Sequence, residues 1–251
     1  MPLVTLRMPP RDDTRKTRGQ DGLLFFSCKT LSVSTTCRFI PAHLPGTSFP
    51  QGRTPRDRVR LSPVLELPPG TYCLAAIGDP LHGPYHDEEY GFPVETDAAF
   101  FERLVLEINQ AGLSWATILR KRAGFRQAYR GFDIDAVAAF DQSDVARLLA
   151  DASIIRNRLK IAAAIENARR LQAIRVQDGS FRAWLDRHHP RDKSEWVKLF
   201  KSTFRFTGGE IVGEFLLSTG YLPGAHHINC PVAKLVIAKN PAWNRIVGYH
   251  D

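Results

Sequence analysis

Residues 96–122 read TDAAFFERLVLEINQAGLSWATILRKR. Thr96 and Asp97 offer side-chain oxygens just ahead of an apolar run, which is how a helix N-terminus looks in sequence. From there Phe100, Phe101, Leu104, Val105 and Ile108 fall on one broad arc of a helical wheel turning about 100° per residue. Gly112 interrupts the run, and ATILRKRAGF opens a second helix after a turn that presents Trp115. The chain has almost no sustained alternation of the strand kind, so the expected fold class is all-α. Glu107 is the residue that this pattern does not explain. It lies at the edge of the apolar arc, between Leu104 and Ala111, where a glutamate most often faces water or pairs with a base. Buried without a cation, its carboxyl would instead titrate high and would favour a positively charged partner.

Further helices are expected outward from this pair. Asp133 can cap DIDAVAAF and Ser143 can cap DVARLLA. RNRLKIAAAIENARRLQAI carries Ala, Ile and Leu at helical spacing, and shorter helices are expected at SFRAWLDRH, SEWVKLFK and GEIVGEFLLST. These elements delimit a helical domain over 71–232, followed by a loose extension over 233–251. Residues 1–70 hold 10 of the 17 prolines, with Arg and Ser/Thr clusters and brief apolar runs, and read as disordered or poorly ordered. That stretch lacks the uninterrupted apolar segment of a signal peptide, and Asp12, Asp13 and Asp21 interrupt the basic run an organelle transit peptide would need. A translation start further downstream is a third reading of it.

The 251 residues suffice for a sizeable core, and no apolar run approaches the ~20 residues of a membrane helix. The net charge of +8 invites a nucleic-acid reading, but residues 1–70 hold 11 Lys or Arg against 5 Asp or Glu. The basicity belongs mainly to that segment and says little about the helical domain. Four cysteines in a chain of this length, Cys28, Cys37, Cys73 and Cys230, fit a reducing compartment or a metal site better than a disulfide scaffold.

Three constellations could carry chemistry. Cys73 and His86 flank a Gly/Pro-rich loop, and GAHHINC sets His226 four residues before Cys230. Two thiolates and two imidazoles make a full tetrahedral ligand set for structural zinc, tying the two ends of the domain together. The spacing is not that of a zinc finger, and unrelated loop histidines and cysteines are the plainer reading. Tyr85 and Trp115 either fill core space or offer two flat faces between which a planar ring stacks, with cation–π attraction of roughly 0.5–2 kcal/mol for a cationic ring. Residues 144–168, DVARLLADASIIRNRLKIAAAIENA, form two helices joined by a tight turn. The free amides at the start of the second helix could hold a DNA phosphate, with Arg156 and Arg158 adding contacts.

Each signal is weak singly, yet their order is specific. YHDEEYGFPVETD, LEINQAGLSWATILRKR, DASIIRNRLKIAAAIENA, FKSTFRFTGGEIVGEF and GYLPGAHHINC together closely resemble the DNA-3-methyladenine glycosylase I family, over roughly residues 71–232. The resemblance implies an all-α fold related to the helix-hairpin-helix glycosylases, with one structural zinc held by Cys73, His86, His226 and Cys230. It implies a base pocket of Tyr85, Glu107 and Trp115, with Gly112 and Leu113 at the DNA strand near the lesion. Alkylated double-stranded DNA is the implied partner, the reaction is hydrolytic release of N3-methyladenine, and Glu107 is its recognition carboxylate and the candidate catalytic residue. A monomer with no membrane partner is expected, in the cytoplasm if the source is bacterial. Two positions depart from the family pattern. Ala75 stands where the family commonly has a tryptophan two residues after the first zinc cysteine, and Ser153 stands where the better-known hairpin has glycine. A catalytically inactive DNA-binding protein that kept the fold is the alternative that Ala75 and the unusual N-terminal segment leave open.

Overall fold

The computed structural model describes residues 67–245, and the expectations for the N-terminal segment up to residue 66, including Cys28 and Cys37, lie outside the described residues. In chain order the helices are α1 (Tyr72–Ala76), α2 (Gly83–Glu88), α3 (Asp97–Gln110), α4 (Trp115–Ala128), α5 (Ile134–Ala138), α6 (Gln142–Ala150), α7 (Arg158–Asp178), α8 (Phe181–His188), α9 (Lys193–Thr203), α10 (Gly209–Ser218) and α11 (Pro231–Ala238). No strand occurs among the described residues, so the all-α expectation holds, and none of their helices is long and apolar enough to cross a membrane.

Local chemistry sets most helix starts. The Thr96 hydroxyl accepts the Ala99 amide at α3, Ser114 accepts that of Thr117 at α4, and Asp133 accepts that of Ala136 at α5. The cap of α6 differs from expectation. Asp141, not Ser143, accepts the first amides, and Asp144 reaches back to the Asp141 amide in a reciprocal box. A carboxylate at the cap with a second three residues on satisfies two free donors, which one serine at position 143 does not.

The centre of the fold is α3, packed against α4, α7, α8 and α10. Every residue from Phe100 to Asn109 is buried. The one-sided arc read from the wheel therefore understates this helix, which is surrounded on all sides. Phe100, Phe101, Leu104 and Leu106 enter one continuous core with Phe125, Phe181, Trp196, Phe200 and Phe215. Burying each such side chain contributes roughly 1.5–3 kcal/mol. The polar residues of α3 are buried as well. Glu102 accepts Arg122 Nε at 2.8 Å and Arg126 Nε at 2.7 Å, while Arg103 Nη2 donates to Glu89 Oε2 at 2.6 Å.

A second, smaller cluster joins the two ends of the domain. Leu67, Cys73, Cys230, Val232, Ala233 and Val236 are buried together, with Phe92 against them. Leu67, ahead of the expected start at 71, belongs to this cluster, and α11 runs through residue 232 to bury Val232 and Val236. The loose extension expected after 232 begins as an ordered helix, because VAKLVIA has an apolar face to cover.

Candidate functional site

The four predicted ligands come together. One donor atom each from Cys73, His86, His226 and Cys230 lies within 4.8 Å of the other three. Hydrogen bonding sets which nitrogen each imidazole turns inward. His226 Nε2 is 2.7 Å from the Tyr90 carbonyl, which can only accept, so Nε2 carries the hydrogen and Nδ1 is a bare lone pair. His86 Nδ1 is 2.6 Å from Asp87 Oδ1, which leaves His86 Nε2 bare by the same reasoning. The two bare nitrogens face each other at 3.2 Å, with Cys230 Sγ 3.6 Å from one and 3.8 Å from the other. Two acceptors this close suit a cation shared between them. The cluster can hold a metal ion, and the long-range pairing it needs was legible only as two Cys/His pairs at opposite ends of the domain.

Beside the cluster lies a cavity of about 450 Å³ lined by Tyr72, Tyr85, Tyr90, Glu107, Gln110, Trp115, Glu210 and Glu214. Backbone continuity and one hydrogen bond couple the two sites. Tyr72 precedes Cys73, Tyr85 precedes His86, and the Tyr90 carbonyl holds His226. Glu107, Tyr85 and Trp115, predicted as one pocket, are brought together here. The expected geometry of the rings is not. Their centroids are 5.0 Å apart at an interplanar angle of 55°, so they meet as a corner and leave no slot between them. A planar guest would lie against one ring at a time. Arg103 occupies one side of Tyr85, its guanidinium carbon 4.6 Å from the ring centroid.

Glu107 is only 4% exposed, so it faces this cavity and not the solvent of a helix shoulder. Burial pushes its carboxyl up to about 8, the nearby Glu214 charge adds to the rise, and Arg103 opposes it. Arg103 does not pair with Glu107 directly: its Nη2 donates to Glu89, and its Nη1 is buried without a hydrogen-bond partner. The Tyr85 hydroxyl is also buried without a partner, at a cost of about 1–3 kcal/mol for an unmade hydrogen bond. The Trp115 indole N–H has only the Tyr72 hydroxyl beside it.

Ala75 is exposed and does not line the cavity, whereas Tyr72, on the other side of Cys73, does. Ser153 needs no glycine. It is not among the residues with positive φ, and the close approach at this turn is made by Gly124 of α4, where an added Cβ would come within 2.6 Å of Ser153 Oγ. Gly112, at φ +82°, and Leu113 form an exposed turn between α3 and α4. Arg156 and Arg158 are exposed at the start of α7.

Lys160 was not singled out from the sequence, where it reads as a surface residue of a long helix. It is 6% exposed, and its ammonium donates to the carbonyls of Asn109 at 2.9 Å and Ala111 at 2.7 Å. It pins the end of α3, and with it the Gly112 turn, to the start of α7. Tyr72, Tyr90, Gln110, Glu210 and Glu214 were also missed; a carboxylate repeated four residues on in the apolar stretch GEIVGEF was the one available signal.

A family model described as methyladenine glycosylase matches residues 75–198. DNA-3-methyladenine glycosylase 1 of Escherichia coli is 50% identical over 97 residues, covering 39% of this chain and 52% of that protein. The alignment thus spans about half the length of that relative. Among solved structures, a 3-methyladenine DNA glycosylase I is 34% identical with a TM-score of 0.54, covering 58% of this chain and 91% of the other. The 3-methyladenine DNA glycosylase I of Staphylococcus aureus, solved for its recognition of 3-methyladenine, is 30% identical with a TM-score of 0.59, covering 64% of this chain and 95% of the other.

Proposed function

Because the chain belongs to the DNA-3-methyladenine glycosylase I family, we propose that it releases N3-methyladenine from alkylated double-stranded DNA by hydrolysis. The observation that carries the proposal is Glu107, buried with no cation in an aromatic cavity. A neutral adenine gives such a group nothing that water did not. N3-methyladenine in DNA carries a delocalised positive charge, and its entry would supply the missing counter-ion while covering Tyr85 and Trp115. Its amino group can donate to the Glu107 carboxylate, a charged hydrogen bond of about 1.5–3 kcal/mol. The base must leave the stack to get there.

In the cleavage step the C1′–N9 bond breaks and its electron pair stays on the base, which departs neutral. A water oxygen bonds to C1′ and loses its proton to solvent. With the positive charge gone from the base, Glu107 again favours its protonated form, which eases product release. Glu107 thus acts in recognition, and the cationic base is already a good leaving group.

The hairpin of α6 and α7 would receive a DNA phosphate at the amides that open α7, flanked by the exposed Arg156 and Arg158. Gly112 and Leu113 would meet the strand at the lesion, held there by Lys160. The donor types of the Cys/His cluster, two thiols and two imidazoles, support zinc. Bonds of about 2.3 Å to sulfur and about 2.0 Å to nitrogen set tetrahedral edges of roughly 3.3–3.8 Å, near the four closest separations of 3.2–3.8 Å, while the set as a whole spans up to 4.8 Å. The four protein donors complete that shell, so the zinc would be structural and would join α1 and α2 to the loop before α11.

The test is release of free 3-methyladenine from methylated duplex DNA by the purified, metal-loaded protein. Release above the spontaneous rate is expected. A folded protein that binds the duplex but releases no base would overturn the proposal in favour of a DNA-binding protein without turnover.

A further inference from the structure

We propose that Glu214 is a second recognition carboxylate, which acts with Glu107 to select a base of fixed positive charge over a neutral one. The inference rests on reading the aromatic cavity as the base pocket, and it adds a residue from a different helix. Glu107 comes from α3 and Glu214 from α10, and the two helices pack against each other. Both line the same cavity as Tyr72, Tyr85, Tyr90 and Trp115.

Glu214 is held in place by the cavity itself. The Tyr90 hydroxyl donates to its Oε2 at 3.1 Å, and the Tyr90 carbonyl on the same residue holds His226. Neither Glu107 nor Glu214 forms an ion pair among the described residues, whereas the other acidic groups nearby do. Glu89 takes Arg103 and Arg122, Glu102 takes Arg122 and Arg126, and Glu210 takes Lys193 at 3.4 Å. The fold therefore spends its cations around this cavity and leaves two carboxylates inside it without one. The unpartnered Tyr85 hydroxyl marks the same space as built for a guest.

Two carboxylates facing one cavity repel when both are ionised, consistent with Glu214 adding to the upward displacement of Glu107. A guest with a delocalised positive charge interacts favourably with both and relieves their repulsion. A neutral base of the same shape relieves nothing, so the second carboxylate widens the gap between damaged and normal adenine. It does so by charge alone, without a new shape contact.

Two small probes isolate this effect: 3,9-dimethyladeninium, a permanent cation shaped like the damaged base, and neutral 9-methyladenine. Binding of both is measured to the wild type, to Glu214→Gln, which keeps an acceptor for Tyr90, and to Glu214→Asp, which keeps the charge. Glu107→Gln serves as the reference for the pocket. Glu214→Gln should weaken the cation about tenfold, or about 1.4 kcal/mol, with the neutral probe unchanged and the fold intact by melting temperature. Glu214→Asp should retain most of the preference for the cation. If Glu107→Gln loses the cation but Glu214→Gln does not, or loses both probes equally, the role of Glu214 is refuted and the pocket stands. If the wild type shows no preference for the cation and Glu107→Gln changes nothing, the base-pocket reading falls and this inference with it.

Discussion

Glu102 and Glu107 lie on the same helix, α3, and both are nearly buried, at 7% and 4% exposure. They have opposite fates. Burial would push Glu102 up, but hydrogen bonds and charge from Arg122 and Arg126 outweigh it and hold its carboxyl below the usual range. Burial pushes Glu107 up to about 8, with nothing on hand to reverse it. The contrast separates a carboxylate the fold has completed from one it has left for something else. In the first, the charge belongs to the architecture, fastening α3 to α4. In the second, the missing counter-ion is the signal of function. The Cys/His cluster is a second instance, where donor atoms from four residues converge as a metal site requires.

If that distinction is right, removing members of the two classes should break different properties. The largest effect should come from the cluster. Cys230→Ser removes one of four donors from a site whose ligands are 153 residues apart in the case of Cys73 and His226. Opening a closure of that length should cost about 5 kcal/mol and roughly 15 °C in melting temperature. Metal analysis should show less than one zinc per chain. A variant that keeps a full zinc and its melting temperature would refute the ligand assignment.

Next comes the completed carboxylate. Glu102→Gln leaves Arg126 unpaired and Arg122 with only Glu89, so stability in denaturant unfolding should fall by about 3 kcal/mol. The folded fraction should still release base. A loss of activity without a loss of stability would mean that Glu102, too, serves the pocket.

The third effect is the linkage of Glu107 to pH. Its folded value, about 8, is above the ordinary 4.5, so between those values the native state holds a proton that the unfolded chain has given up. Its contribution to stability is therefore complete below about pH 4.5 and is lost as pH rises through about 8, with a slope of up to about 1.4 kcal/mol per unit. Glu107→Gln should abolish this dependence, and the difference between wild type and variant should decline from pH 5 to pH 8. A flat difference would mean that Glu107 is ionised or solvated in the native state.

These contrasts also explain what could be read from the sequence. The helices were legible because their signals are local: Thr96 and Asp133 each cap the helix they precede, as their positions suggest. Where the start was misread, at Ser143, the answer lay two residues earlier in the Asp141–Asp144 pair. The metal donors and the members of the pocket were legible as residue types in a particular order. Their geometry was not. A helical wheel shows one apolar arc, and it cannot show that α10, α8 and α7 enclose the other faces of α3. Nor can it show that Arg122, 20 residues beyond Glu102, completes that carboxylate while nothing completes Glu107. The tilt of Tyr85 against Trp115 and the capture of two α3-end carbonyls by Lys160 are tertiary facts of the same kind. Glu214 escaped notice because its significance depends on having no counter-ion, and sequence does not show absence.

The most direct test of Glu107 as the carboxylate that recognises the cationic base compares Glu107→Gln with the wild type in two measurements on the same methylated duplex. These are single-turnover release of 3-methyladenine and affinity for the DNA. Losing the charged hydrogen bond should slow release on the order of 100-fold, about 2.7 kcal/mol, with duplex affinity nearly unchanged. Equal loss of release and duplex affinity, or release at the wild-type rate, would contradict it.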